Sequence, residues 1–263
     1  MSITTILFIN LALACMLMSS VWVISLFRRD ASVIDPFWGV GFCVLAISSF
    51  FLGPASGSLP TLMLVLVLVW GLRLSLYLGY RYIHEGEDRR YKAMRNRHPD
   101  TFWLRSLVTV FNLQAVVLWV VSLPIQVAIV QGAESTVGVA AIAGVILWSI
   151  GLFFETVGDW QLMKFKSNPV NQKRVLRQGL WKYTRHPNYF GDFCVMWGFF
   201  LISISAGGIW TVFAPAIMSF FLLRVSGVTL LEKSISKRRP EYEEYVQSTS
   251  SFLPWFPKQS TNS

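Results

Sequence analysis

The densest set of side chains able to hold a small polar molecule is the run Gly179-Leu180-Trp181-Lys182-Tyr183-Thr184-Arg185-His186-Pro187-Asn188-Tyr189-Phe190-Gly191-Asp192. Arg185 and His186 can grip a phosphate or a carboxylate. Asn188 offers an amide donor and acceptor, and Tyr189 a ring and a hydroxyl. Pro187 fixes φ and suits the first turn of a helix. Gly191 allows close approach, and Asp192 can accept from ribose hydroxyls or an amide. The stretch leading into this run is basic, with Lys164, Lys166, Lys173, Arg174, Arg177 and Lys182. Attraction to anionic lipid, worth about 1 kcal/mol per residue, accounts for the sign of that charge. That attraction does not account for the ordered run that follows, and the charge reads better as a counter-charge for a phosphate-bearing ligand.

A second set consists of polar residues at the ends of apolar runs, where hydrocarbon makes them costly. Asp35 opens one run, Arg73 lies within another, and Asn112 and Gln114 begin a third. Glu155 and Asp159 lie one helical turn apart, hence on one face. Arg224 sits near the end of the last run, with Glu232 two turns later. Any one of these is as readily a snorkelling side chain or a helix cap. Taken together, at one end of five runs and with both signs, they imply a polar cavity opening to one side of a membrane.

The elements that must position these groups follow from composition. The chain has 263 residues, 54% hydrophobic and 14% charged, with 23 Lys and Arg against 14 Asp and Glu. Soluble domains carry about 25% charged residues, so a multi-pass membrane protein is expected. A spanning helix needs about 20 apolar residues. Seven stretches approach this: Ile3–Phe27, Ile34–Leu52, Thr61–Tyr80, Leu107–Gln131, Val137–Phe154, Phe193–Ser205 and Ile209–Leu231. The expected fold is all-α, a bundle of seven transmembrane helices with the N-terminus outside and the C-terminus cytoplasmic. With that count every Lys and Arg falls on the inner side, as the positive-inside rule asks. A single membrane domain over residues 1–263 is expected, with substrate-side helices in 1–131, a cofactor-binding half in 132–257 and a polar tail at 258–263. The first apolar run lacks a basic leader and a cleavage site, so it reads as a span and not a signal. Cys15, Cys43 and Cys194 all lie in apolar runs, which argues against disulfides and metal. No nucleic-acid-binding pattern is present.

The order within 179–192 resembles the C-terminal signature of the steroid 5-alpha-reductase and sterol-reductase superfamily, which reads much like RHPNYxGD. The resemblance extends to Leu231-Glu232-Lys233, Glu241-Tyr242-Glu243-Glu244-Tyr245 and Phe252-Leu253-Pro254-Trp255-Phe256-Pro257. Upstream, Asp35-Pro36-Phe37-Trp38-Gly39, Leu72-Arg73-Leu74 and Gly86-Glu87-Asp88-Arg89-Arg90-Tyr91 resemble the bacterial branch of that superfamily. A sister group on the same scaffold, the isoprenylcysteine carboxyl and phospholipid methyltransferases, also carries Arg-His-Pro. That group typically has Ser-Tyr or Met-Tyr after the proline and no acid at the position of Asp192.

The resemblance implies NADPH as cofactor and conjugate reduction of a lipophilic enone entering from the bilayer, in a bacterial inner membrane with the cofactor site facing the cytoplasm. S-adenosylmethionine-dependent methyl transfer is the alternative. Asp159, Lys166, Arg174, Tyr183, Asn188, Asp192 and Arg224 match cofactor-contacting positions, and His186 and Tyr189 lie inside the motif. Glu155 stands where the animal enzymes have Asn and Lys166 where they have Arg, and Glu232 belongs to the acidic tail. Hydride addition places negative charge on the substrate's carbonyl oxygen, which needs a donor. The Glu and Tyr that serve this in the animal enzymes have no clear match here. Asp35, Tyr80 and Gln114 are the candidates in their place.

Overall fold

The computed structural model describes residues 1–54, 56–172, 174–225, 228, 232 and 241–258. The described residues are helical, with no strand among them. The helices are α1 (Ile3–Arg28), α2 (Phe37–Leu52), α3 (Ser58–Glu85), α4 (Arg89–Arg97), α5 (Phe102–Ser106), α6 (Leu113–Val121), α7 (Leu123–Gln131), α8 (Val139–Ser167), α9 (Pro187–Ile204), α10 (Phe213–Phe220) and α11 (Tyr242–Ser248). Five stretches are long and apolar enough to cross a membrane: α1, Ala31–Leu52, α3, Phe102–Val121 and α8. The sixth and seventh apolar runs of the sequence correspond to α9, of 18 residues, and to the shorter apolar stretch Gly208–Arg224. The expected end of the seventh run, residues 226–231, lies outside the described residues apart from Val228.

The fourth run differs from expectation. Leu107–Gln131 is not one helix. A helical stretch from Phe102 ends at Val121, and α7 begins at Leu123 with Pro124 in its first turn. Proline has no N–H to return to the carbonyl four residues earlier, so the helix stops and restarts. Between α5 and α6 the backbone widens into a π turn over Leu107–Asn112. Asn112 Nδ2 donates to Leu107 O at 2.9 Å within it.

The chain forms two compact units. The first comprises Met1–Ala141 and Ile202–Ala214. Its core holds Ile6, Met18, Phe42, Leu45, Met63, Trp70 and Leu118, all almost fully buried. Phe42 and Trp70 meet edge to face at 5.0 Å. α2 and α3 approach through glycines, since a Cβ on Gly71 would lie 2.8 Å from Gly39 O. Close approach through small residues replaces the hydrophobic drive that lipid does not supply.

The second unit comprises Ile142–Leu201 and Pro215–Ser263. Its organising feature is a glycine seam between α8 and α9. Gly144, Gly151 and Gly158 recur at seven-residue spacing along α8. A Cβ on Gly198 would lie 2.8 Å from Gly144 O, one on Gly191 2.6 Å from Gly151 O, and one on Gly158 3.2 Å from Pro187 Cγ. The partners run in opposite order, so the two helices are antiparallel. The seam brings the acidic end of α8 against the start of α9.

Candidate functional site

In the second unit, α8 supplies Glu155 and Asp159, both buried. α9 supplies Asn188, Tyr189 and Asp192 from its first two turns. Asn188 Nδ2 donates to Asp159 Oδ1 at 3.1 Å, and Asn188 Oδ1 accepts from the Tyr189 amide at 3.1 Å. The Gly158 contact with Pro187 makes this reach possible. Gly191 lies against Glu155, a Cβ there falling 2.7 Å from Glu155 Cγ. The turn leading into α9 is fixed by α8 as well. Trp181 Nε1 donates to Gly158 O at 3.1 Å, and Gln161 Oε1 accepts from the Leu180 amide at 3.0 Å. Gly179 has φ +61 and packs on Gln161, where a side chain would be strained and would collide.

Arg185 and His186 take the carboxylate option of the two their chemistry allowed. Arg185 is buried, and its Nε donates to Glu232 Oε1 at 2.8 Å. Its Nη1 donates to Val246 O and Thr249 O at 2.9 and 2.7 Å. His186 Nε2 lies 3.1 Å from the same Glu232 oxygen, and its ring stacks on Tyr189 at 5.5 Å. Burial alone would raise the Glu232 carboxyl; the bonds from His186 and Arg185 outweigh it and hold the group below the ordinary glutamate range. The rest of the motif fastens the tail. Thr184 Oγ1 donates to Phe252 O, Trp255 N to Tyr183 O, and Tyr245 Oη to Trp181 O. Arg-His-Pro in this chain is therefore a clamp on the C-terminal segment.

Of the basic residues, Lys166, Arg174 and Lys182 are exposed. Lys164 lies over the Trp160 ring at 5.2 Å. Arg177 pairs with Glu244 at 3.0 Å and so belongs to the tail contact. Tyr183 is partly exposed and meets Phe256 edge to face at 6.1 Å. Arg224 is exposed in a π turn over Phe221–Val225. Lys173 and Lys233 lie outside the described residues.

In the first unit, two of the three catalytic candidates are joined by a residue the sequence reading passed over. Tyr91, buried on α4, donates from Oη to Asp35 Oδ1 at 3.2 Å and accepts from Gln114 Nε2 at 3.0 Å. Gln114 Oε1 accepts from Trp38 Nε1 at 2.6 Å. Arg81 Nη2 lies 3.5 Å from Asp35 Oδ2. Burial and the Asp35 carboxylate push the Tyr91 hydroxyl well above its ordinary range, so it stays a phenol and a donor. α4 is tied down through Asp88. Its carboxylate caps the helix at the Arg90 amide, 2.8 Å away, and holds the Arg90 side chain at 3.0 and 3.1 Å, while the Asp88 amide donates to Ser32 Oγ at 2.7 Å. Burial would raise Asp88; these bonds from Arg90 keep it below the ordinary range. Tyr80, the third candidate, takes no part in this network. It is exposed and stacks on His84 at 4.1 Å.

The first unit also contains a polar cluster that was not anticipated. Asn10 is fully buried, and its Nδ2 donates to Ser49 Oγ and Gln126 Oε1, each at 2.8 Å. Gln126 in turn donates to Ser122 Oγ at 2.8 Å. Lone amides inside the apolar runs of α1 and α7 were the available signal.

The chain matches the model of a family described as "Protein of unknown function (DUF1295)" over residues 21–249. The chain belongs to this family. It is also similar to an uncharacterized protein of Schizosaccharomyces pombe, 24% identical over 277 aligned positions that cover 94% of this chain and 79% of the relative. No solved structure matches it. The matched segment takes in both networks, from Asp35 and Tyr91 in the first unit to Asn188 and Glu232 in the second.

Proposed function

We infer that the protein is a membrane-embedded, NADPH-dependent reductase of a carbon–carbon double bond in a lipophilic enone. The reading includes seven spans, with the N-terminus outside and the cofactor face cytoplasmic. The observation that carries it is the pairing of Asn188 with Asp159 beside Glu155 and Asp192, in a run whose order resembles the steroid and sterol reductases. The donor set fits the group. Carboxylates and an amide suit ribose hydroxyls and a carboxamide, while the exposed Lys166, Arg174 and Lys182 suit phosphates.

NADPH, when bound, supplies the hydride. The chain's own residues do the rest. Asn188 and Asp159 hold each other in one orientation, so the amide and the carboxylate are fixed in place beside the start of α9. Asp192, in the first turns of α9, would accept hydrogen bonds from ribose hydroxyls. His186 and Tyr189 form a stacked wall behind them, which Glu232 fixes in place. In the first unit, the Asp35–Tyr91–Gln114 network holds a neutral phenol whose proton goes to Asp35; turned to a substrate carbonyl, that donor would polarise it. Tyr91 thus joins Asp35 and Gln114 as a candidate there. Tyr80 is the weaker candidate, being exposed and stacked on His84.

The buried carboxylates of Glu155 and Asp159 also suit a cationic sulfonium, which keeps S-adenosylmethionine-dependent methyl transfer as the second reading. Binding of both ligands to the purified protein tests the two. NADPH is expected to bind, and Asn188→Ala or Asp192→Ala is expected to weaken it tenfold or more. Saturable binding of S-adenosylmethionine with no NADPH signal overturns the reductase reading.

A further inference from the structure

The first unit carries a cleft of about 440 Å³ that none of the proposed chemistry uses. It lies where α1 ends, between that end and the α4–α5 connection, and Leu26, Arg29, Asp30, Arg95, Phe102 and Trp103 line it. Its depth follows from α1. That helix has 26 residues, which rise about 39 Å at about 1.5 Å each, against about 30 Å of hydrocarbon. The excess length lets an end of α1 reach the headgroups, and the charged Arg28-Arg29-Asp30 marks this end as one that does.

The lining is divided in chemistry. Leu26, Phe102 and Trp103 are apolar, and Trp103 is 54% exposed. Arg29 and Arg95 are the cations. Asp30 is the one acid among these six, and its Oδ1 already accepts from the Ser32 amide at 2.7 Å. Arg95 is also ion-paired with Glu87. Arg29 is exposed and adopts φ +52, the only non-glycine residue in the left-handed region among those described. It closes α1 as a C-cap, its amide donating to Leu26 O and Ser25 O. Glycine is the usual residue there, and a side chain costs about 1 kcal/mol or more. An arginine at this position gives up backbone ease and sets a guanidinium at the cleft.

We propose that this cleft is a binding site for an anionic phospholipid, with the phosphodiester on Arg29 and Arg95 and the glycerol and upper acyl chain against Leu26, Phe102 and Trp103. A free phosphate would leave the apolar wall uncovered, and a zwitterionic headgroup would bring a cation toward two arginines. The site is independent of the reductase reading.

The test is native mass spectrometry of the full chain released from bilayers of equal phosphatidylglycerol and phosphatidylcholine. One phosphatidylglycerol is expected to remain bound in preference to phosphatidylcholine. Arg29→Gly removes the guanidinium at a position glycine favours, so folding is retained. It is expected to reduce retention about fivefold or more, in line with the loss of a basic residue at a lipid surface. Trp103→Ala is expected to reduce retention as well, because it removes part of the apolar wall, while the bond from Trp22 Nε1 to the Trp103 carbonyl survives the change and keeps the local fold. Arg97→Gln, on α4 but outside the lining, leaves retention unchanged. The proposal is overturned by equal retention of the two lipids, by Arg29→Gly or Trp103→Ala behaving like Arg97→Gln, or by displacement of the lipid with inorganic phosphate.

Discussion

Replacing Arg185 with Met tests the reading of the Arg-His-Pro run as a clamp on the C-terminal segment. The side-chain volume is nearly kept, so the change removes charge and donors and leaves little void. Three bonds are lost, to Glu232 Oε1, Val246 O and Thr249 O at 2.8, 2.9 and 2.7 Å. Each bond from a charged group contributes about 1.5–3 kcal/mol. Water recovers part of this at Glu232, whose side chain keeps 22% exposure and its His186 contact. Breaking a buried pair by removing one partner costs about 3–5 kcal/mol, and that is the expected loss. At about 1.36 kcal/mol per factor of ten, the opening equilibrium of α11 rises roughly a hundredfold to several thousandfold. The assay is hydrogen exchange resolved over Tyr242–Ser248, which reads local opening directly. α3, in the other unit, serves as the internal reference. Arg185→Lys is expected to be intermediate, since a point charge cannot meet three acceptors in a fork. A loss of protection in α11 smaller than about fivefold refutes the clamp.

Two further outcomes follow from the same structure. Glu232 has its folded-state pKa depressed, so its contribution is full above the ordinary glutamate value of about 4.3 and is lost as pH falls through the lower folded value. Proteolysis of the tail is therefore expected to accelerate on acidification below about pH 4, and Glu232→Gln is expected to flatten that dependence; an unchanged profile in Glu232→Gln counts against the assignment. At the glycine seam, Gly191→Ala places a Cβ 2.6 Å from the Glu155 amide nitrogen and from Gly151 O, backbone atoms that cannot swing aside, so a loss of about 1–3 kcal/mol is expected in thermal unfolding. Gly79→Ala on α3 meets nothing within 4 Å and is expected to stabilise by about 0.5–1 kcal/mol, so equal effects at the two sites would remove the seam from the account.

Much of the membrane architecture was legible in the sequence because it is one-dimensional. A span is a run of apolar residues of sufficient length, and four such runs appear as long helices where composition put them, while the fourth run of the sequence is displaced to Phe102–Val121. The break at Ser122 was legible too, in Pro124, but was outweighed by the unbroken apolar pattern around it. The acidic pair Glu155 and Asp159 fell on one face because helical spacing alone dictates that. Asp35 and Gln114 were selected as polar residues at apolar ends, and they do share one network.

What the sequence left open were pairings between residues far apart in the chain. Arg185 and His186 could take a phosphate or a carboxylate, and only the return of Glu232 to them, about 46 positions later, decides for the carboxylate. Tyr91 lay in a charged connecting segment with the pattern of a solvated surface, yet the tie between Asp88 and Ser32 folds α4 back and buries it between Asp35 and Gln114. The glycines of α8 and α9 had a visible seven-residue period, but which helix each row faced depended on antiparallel packing. Composition and spacing determined which segments are helical and which side chains are costly in lipid, because those properties belong to each segment alone. Tertiary structure decided the partners, because a buried charge or amide is satisfied by whatever group the fold brings within about 3 Å.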